Sequence, residues 1–161
     1  MADIRFVILS FPPSLDPAAL GFPPSGDEPE DADVDGWSYA WRLVAGNNRR
    51  LGHSVHSQIS RTGVVDAIAR VRAGLDQLVP RVLAEESTGL WTWCAELDGV
   101  PVATCSHDYE RARDGYAGFD KFRDAVGRAQ LAEGALILRD LRSRDLRGSV
   151  SVGVGAGESK R

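Results

Sequence analysis

The stretch Trp37-Ser38-Tyr39-Ala40-Trp41-Arg42-Leu43-Val44-Ala45 returns in altered form as Leu90-Trp91-Thr92-Trp93-Cys94-Ala95-Glu96-Leu97. In both, large apolar residues alternate with small or polar ones, the period of a strand with one buried face. Each stretch is followed by a turn, a second strand-like run and an amphipathic helix. One such unit of about fifty residues buries too little surface to stand alone. The duplication therefore predicts two similar halves that complete one core.

The turns set the expected register. Asp98-Gly99 suits a two-residue hairpin, whose type I′ turn needs positive φ at both central positions. It places Leu97 opposite Val100, Trp93 opposite Thr104 and Cys94 opposite Ala103, so that Trp91, Trp93, Ala95, Leu97, Val100, Val102 and Thr104 share the core face. In the first copy, Gly46-Asn47-Asn48 reads as a three-residue loop with Asn48 in the left-handed position. Tyr39, Trp41, Leu43, Leu51, His53 and Val55 then face one way, and Arg42, Arg50, Gly52 and Ser54 the other. Pro101 lacks an N–H for a second neighbour, which puts its strand near a sheet edge.

Ser60 or Thr62 caps an expected helix carrying Val64, Ile68, Val71, Leu75 and Leu78 on one stripe and ending near Pro80. Asp114 is the expected cap of a second helix, with Tyr116, Phe119, Phe122, Val126 and Ala129 on one side. The short runs 81–84 and 135–138 are compatible with helix or strand. Residues 1–11 contain a short strand, Ile4 to Leu9, that can add to a sheet edge. Residues 12–36 combine six prolines with an acidic run, a composition that reads as a flexible loop. The first repeat spans 37–84, the second 88–142, and 143–161 forms a flexible tail.

Of 161 residues, 43% are hydrophobic and 26% charged, as in one compact domain. The net charge of −4 is uneven, because residues 1–36 hold a single arginine against eight carboxylates. The remainder is mildly basic, and its cations are nearly all arginine. Apolar runs fall short of the roughly 18 to 20 residues of a membrane span, the N-terminal apolar run lacks a cleavage site, and two cysteines make no disulfide framework. A cytoplasmic location without membrane partners is expected.

Trp41-Arg42-Leu43-Val44-Ala45-Gly46-Asn47-Asn48, Leu51-Gly52-His53-Ser54 and the run from Ser60 to Val71 resemble the repeat of the YegP-like family, whose function is unknown. Its motif is an aromatic strand, an Ala-x-Asn-Gly turn, an Ile-Ala-Thr-Ser strand, a Tyr, and a helix reading Gly-Ala-x-Asn-Gly-Ile-x-Ser-Val. The second copy is similar through Trp91, Trp93, Asp98-Gly99, Val102-Ala103-Thr104-Cys105, Tyr109 and 122–126, its helix arriving a few residues late. Asn48 replaces the turn glycine, and Asp66-Ala67 stands where Asn-Gly is usual. The resemblance implies an α+β fold: two tandem YegP-like repeats, with exchanged C-terminal strands, form one shared antiparallel sheet covered by helices, a pseudo-dimer within one chain. It implies no catalytic residues.

The aromatics at period two can serve either as a base-stacking platform or as core. Their face is otherwise apolar or small, which favours core. Arg42, Arg50 and Arg61 are the candidate anion-binding residues. His53 and His56 point to opposite faces of a strand and make no metal pair. Cys94 and Cys105 lie diagonally, too far apart for a disulfide. The glycines at 153, 155 and 157 have no helix after them to receive a phosphate. With no nucleophile elbow, triad or cofactor motif, the leading expectation is a non-catalytic binding or interaction module of unknown molecular function, its partner unknown with a protein as one candidate, and no cofactor or metal. The alternatives are weak nucleic-acid or polyanion binding through an arginine-bearing sheet face, and a small enzyme with its site between the repeats.

Overall fold

Both hairpins form at the turns the sequence marks. In the computed structural model, which describes residues 3–24 and 36–137, β2 (Ser38–Val44) turns into β3 (Arg50–Ser54) with Asn48 at φ 64°. The Ala45 amide closes that loop on the Arg49 carbonyl at 2.8 Å. β5 (Trp91–Leu97) turns into β6 (Val100–Thr104) through Asp98 at φ 54° and Gly99 at φ 81°.

Beyond each turn the register departs from expectation. Leu43 pairs with Gly52 and Val44 with Arg50, leaving Leu51 as an extra residue. Ala95 pairs with Ala103 and Glu96 with Pro101, leaving Val102 extra. A β-bulge shifts everything after it to the opposite face. His53 therefore leaves the expected core face and lies opposite Arg42, and Thr104 lies opposite Cys94. Cys105 is buried in the core instead, so the two cysteines occupy opposite faces and are both free.

The hairpins meet through β3 and β6, with His53 opposite Thr104 and Ser54 opposite Ala103. This short ladder stops before Pro101, which is why a proline strand stands inside the sheet and not near its edge. The chain crosses after each helix, so that β4 (Val79–Ala84) pairs with β5 and β7 (Gln130–Ile137) runs parallel to β1 (Arg5–Phe11). The result is one mixed sheet in the order β4-β5-β6-β3-β2-β1-β7. β1, expected at an edge, is interior because β7 takes its second side.

Ser60 caps α1 (Arg61–Ala73), its Oγ accepting from the Gly63 amide at 2.9 Å, and Val64, Ile68 and Val71 are buried as their spacing predicts. α2 (Ala112–Arg128) begins after Arg111 without a side-chain cap, and Asp114 lies in its first turn instead of capping it. Its start is not late: α2 follows Tyr109 at the same offset at which α1 follows Gln58. Tyr116 is exposed, contrary to its expected place on the buried side. The helix seats on Tyr109 at Gly118, where a Cβ would collide with the tyrosine hydroxyl, and this turns Tyr116 outward.

The two helices cover the face bearing Trp41 and Trp93, and these two, with Phe119 and Phe122, are among the most completely buried side chains. The other face is covered over β1 and β2 by residues 12–24. A 3-10 turn at Pro17–Leu20, capped by Asp16, brings Phe22 down onto Leu9, Phe11 and Ala40, and Pro24 bridges to Ser57. Within the stretch expected as a flexible loop, residues 12–24 thus set Leu15, Leu20 and Phe22 against this face. β1 and β2 are accordingly buried on both faces, whereas β5 alternates. The acidic run 27–35 and the tail expected over 143–161 lie outside the described residues.

Gly52 shows how closely α2 approaches the sheet. A Cβ there would stand 2.8 Å from the Phe122 ring and 3.0 Å from the Thr104 carbonyl oxygen. Gly52→Ala is expected to destabilise by about 1 to 3 kcal/mol through overpacking. Gly127→Ala, on α2 with Leu75 no nearer than 3.4 Å, is expected to stabilise by about 0.5 to 1 kcal/mol through helix propensity. Urea unfolding of both variants checks the pair; equal effects would contradict the helix–sheet spacing.

Candidate functional site

Strand alternation sends Trp41 toward the helices and Arg42 away from them. The bulge at Leu51 then adds His53 to the Arg42 face, and Arg50 pairs with Val44 beside it. Phe22 closes over this cluster, its ring 5.1 Å from the His53 ring. A cavity of about 170 Å³ remains, lined by Leu20, Gly21, Phe22, Arg42, Arg50, His53 and Ser106. Among the described residues no carboxylate lines it.

Arg42 is only 8% exposed. Burial, and secondarily Arg50, lower its pKa to about 9, so it still carries its charge at neutral pH. Burial lowers Arg50 as well. His53 is brought down to about 4, chiefly by burial; its hydrogen bond to the Ser54 carbonyl opposes the shift, and Arg42 and Arg50 add to it. The imidazole is therefore neutral at pH 7, with Nδ1 donating to that carbonyl at 2.8 Å.

Among the described residues, three buried side-chain polar atoms have no hydrogen-bond partner: Arg42 Nε, Ser106 Oγ and Trp93 Nε1. The first two belong to residues lining this one cavity. Both can donate, so an acceptor placed between them would satisfy groups whose isolation otherwise costs about 1 to 3 kcal/mol each. Ser106 and His53 share the cavity without forming a nucleophile–base pair. His53 spends its Nδ1 proton on its own neighbour's carbonyl, and its low pKa makes it a weak base.

Of the three arginines singled out by sequence, Arg42 and Arg50 come together and Arg61 does not. Arg61 is exposed on the first turn of α1, on the other side of the sheet. Trp41 and Trp93 are buried under the helices and offer no stacking surface. His53 and His56 join no cluster of three or more ligating residues among those described. Sequence reasoning missed Ser106, His53 and Phe22 as cavity walls; the only available signal was Phe22, an aromatic standing alone among prolines. A second cavity, of about 160 Å³, has Arg50 as a common wall and is lined also by Arg49, His107, Tyr109, Asp114 and Lys121.

Among the described residues no helix is long and apolar enough to cross a membrane. No family model and no curated protein matches the chain. Two solution structures are similar to it. One is that of yegP, a protein of unknown function from E. coli, 12% identical, with a TM-score of 0.50 over 79% of this chain and 90% of that one. The other is a UPF0339 protein from Shewanella oneidensis, 10% identical, with a TM-score of 0.48 over 79% of this chain and 91% of that one. At such identities it is the architecture that is shared, and the mixed α+β fold of this chain is that of the YegP-like proteins of unknown function.

Proposed function

We propose that this chain is a non-catalytic binding module, built as an internal pseudo-dimer of two like units, that recognises a small anionic group through Arg42 and Arg50. Matched hydrogen bonds support the pseudo-dimer. The Trp41 amide donates to Ser54 Oγ at 3.1 Å, and the Trp93 amide to Cys105 Sγ at 3.4 Å. Tyr39 exchanges two backbone bonds with Gln58, and Trp91 does the same with Tyr109. The strand after each helix joins the other side of the sheet, β4 beside β5 and β7 beside β1.

One comparison carries the functional reading. Aligned on the two tryptophans and the two bulges, Arg42, Arg50 and His53 correspond to Cys94, Pro101 and Thr104. The second hairpin folds with neutral residues at all three positions, so the hairpin itself does not require the cations. A buried guanidinium with an unpartnered Nε costs stability, and a ligand that accepts from it offsets that cost. An extended polyanion fits less well. Arg61 lies elsewhere, Phe22 roofs the arginine pair, and the tryptophans needed for base stacking are in the core.

Thermal melts with sulfate or inorganic phosphate against chloride at fixed ionic strength, alongside anisotropy with labelled single-stranded RNA, test this. Small oxyanions should raise Tm, and Arg42→Met with Arg50→Met should abolish the rise. The RNA should show no salt-sensitive binding. Melts indifferent to every oxyanion would refute anion recognition, and RNA binding lost in the double variant would install the polyanion reading in its place.

A further inference from the structure

We infer that β4 is the docking edge for a second copy of this chain, the two strands pairing antiparallel about a two-fold axis so that Val82 of each copy faces Ala84 of the other and two sheets become one. The sheet ends at β4 and β7, and among the described strands none lies beyond β4. The Glu85 amide donates to the Leu90 carbonyl at 2.8 Å, continuing the register in which Leu83 faces Thr92 and Arg81 faces Cys94. Antiparallel ladders alternate, so the odd-numbered residues of β4 spend their backbone groups on β5, and those of Pro80, Val82 and Ala84 point outward. Pro80 therefore sits near the start of the strand where its missing N–H breaks no bond to β5. It leaves the amides and carbonyls of Val82 and Ala84 as an open template.

Three of the five large hydrophobic side chains exposed among the described residues gather at this edge: Val79 at 55%, Leu83 at 59% and Tyr116 at 50%. Val82 packs on the core, which puts Val79, Arg81 and Leu83 on the sheet face away from the helices. Tyr116 follows Gly115, the point at which α2 rests on Val82. The sequence of the strand itself selects the partner. Outward-facing residues of two copies can meet in registers centred on Val82, Leu83 or Ala84. Centring on Val82 sets Leu83 against Arg81 of the second copy, and centring on Ala84 sets it against Glu85. Centring on Leu83 sets that side chain against itself, with Cβ atoms about 5 Å apart, and Arg81 against Glu85 on both sides of the axis. Arg81 already pairs through Nε with Glu96 at 3.3 Å and is 57% exposed, so these outer ion pairs fix register and add little affinity. Backbone bonds and the apolar contact supply the affinity. A second copy reproduces this self-complementary pattern by construction, as a two-fold interface requires.

Sedimentation velocity of the full chain from about 1 to 100 µM tests the inference, and a concentration-dependent dimer is expected. Leu83→Lys, at an exposed position, sets two ammonium groups opposite one another. It should weaken dimerisation by about tenfold or more and leave the far-UV circular dichroism unchanged. Arg81→Glu and Glu85→Arg should each weaken the dimer, and mixing the two variants should restore it, because every contact between positions 81 and 85 is then again between opposite charges. Arg72→Glu, exposed on α1, controls for net charge and should change nothing. A monomer at every concentration would overturn the inference, whatever else covers the edge. A dimer indifferent to Leu83→Lys would overturn it by placing the interface elsewhere, and charge variants that stay apart on mixing would overturn the antiparallel pairing.

Discussion

Trp93→Ala is expected to destabilise the protein by about 3 to 5 kcal/mol, and Trp41→Ala by a similar amount. Both indoles are essentially without exposure, and both lean on one ring of α2. Phe122 stacks on Trp41 with centroids 6.3 Å apart at 17°, and lies 4.9 Å from Trp93 at 49°. Each tryptophan has a further edge contact of its own: Phe6 to Trp41 at 5.3 Å, and Phe119 to Trp93 at 5.6 Å. Removing either indole opens one wall of the Phe122 pocket, and the sheet cannot collapse into the space because its spacing is set by backbone hydrogen bonds. Because Phe122 is shared, the double variant should cost less than the two singles added together. Urea unfolding of the three variants gives the numbers. Unchanged midpoints would mean that the tryptophans are surface residues and would reopen the stacking-platform reading.

The same core explains which features were legible from sequence. Turn chemistry is local, and so Asp98-Gly99 and Asn48 announce the hairpins by themselves. The stripe of α1 is also local, and Ser60 caps it where a serine before an apolar run should. The bulges at Leu51 and Val102 are not, because one extra residue changes which face every later side chain occupies while leaving the composition of the strand unaltered. That single uncertainty moved His53 from the expected core face to the arginine cavity. The interior place of β1 depends on β7, a partner from the far end of the described chain. The seating of 12–24 depends on three apolar residues with no common period among prolines. At the candidate site, Arg42 and Arg50 were legible because they sit in one hairpin. Grouping Arg61 with them relied on proximity in sequence, and α1 carries it to the other side of the sheet.

Stability is expected to fall as the pH drops from 6.5 to about 4, with His53 responsible for a resolvable share. In the unfolded chain its imidazole titrates near the ordinary 6.5; in the folded protein, burial first and then Arg42 and Arg50 bring it down to about 4. Between those values the unfolded state binds a proton that the native state does not, so acidification favours unfolding. Above pH 6.5 both states are neutral and the contribution is constant; below about pH 4 both are protonated and it levels off. The full shift corresponds to roughly 3 to 3.5 kcal/mol at most. Native carboxylates add their own acid dependence, so the test is a comparison: wild type and His53→Gln unfolded in urea at pH 7 and at pH 4.5. The variant should lose less stability over that interval. An oxyanion bound to Arg42 and Arg50 neutralises part of the charge that His53 feels, so saturating sulfate, whose own charge is constant over this range, should make the wild-type slope shallower and leave the variant's nearly unchanged. Parallel acid limbs for the two proteins would show that His53 titrates alike folded and unfolded, and the closure of Phe22 over that face would then be wrong.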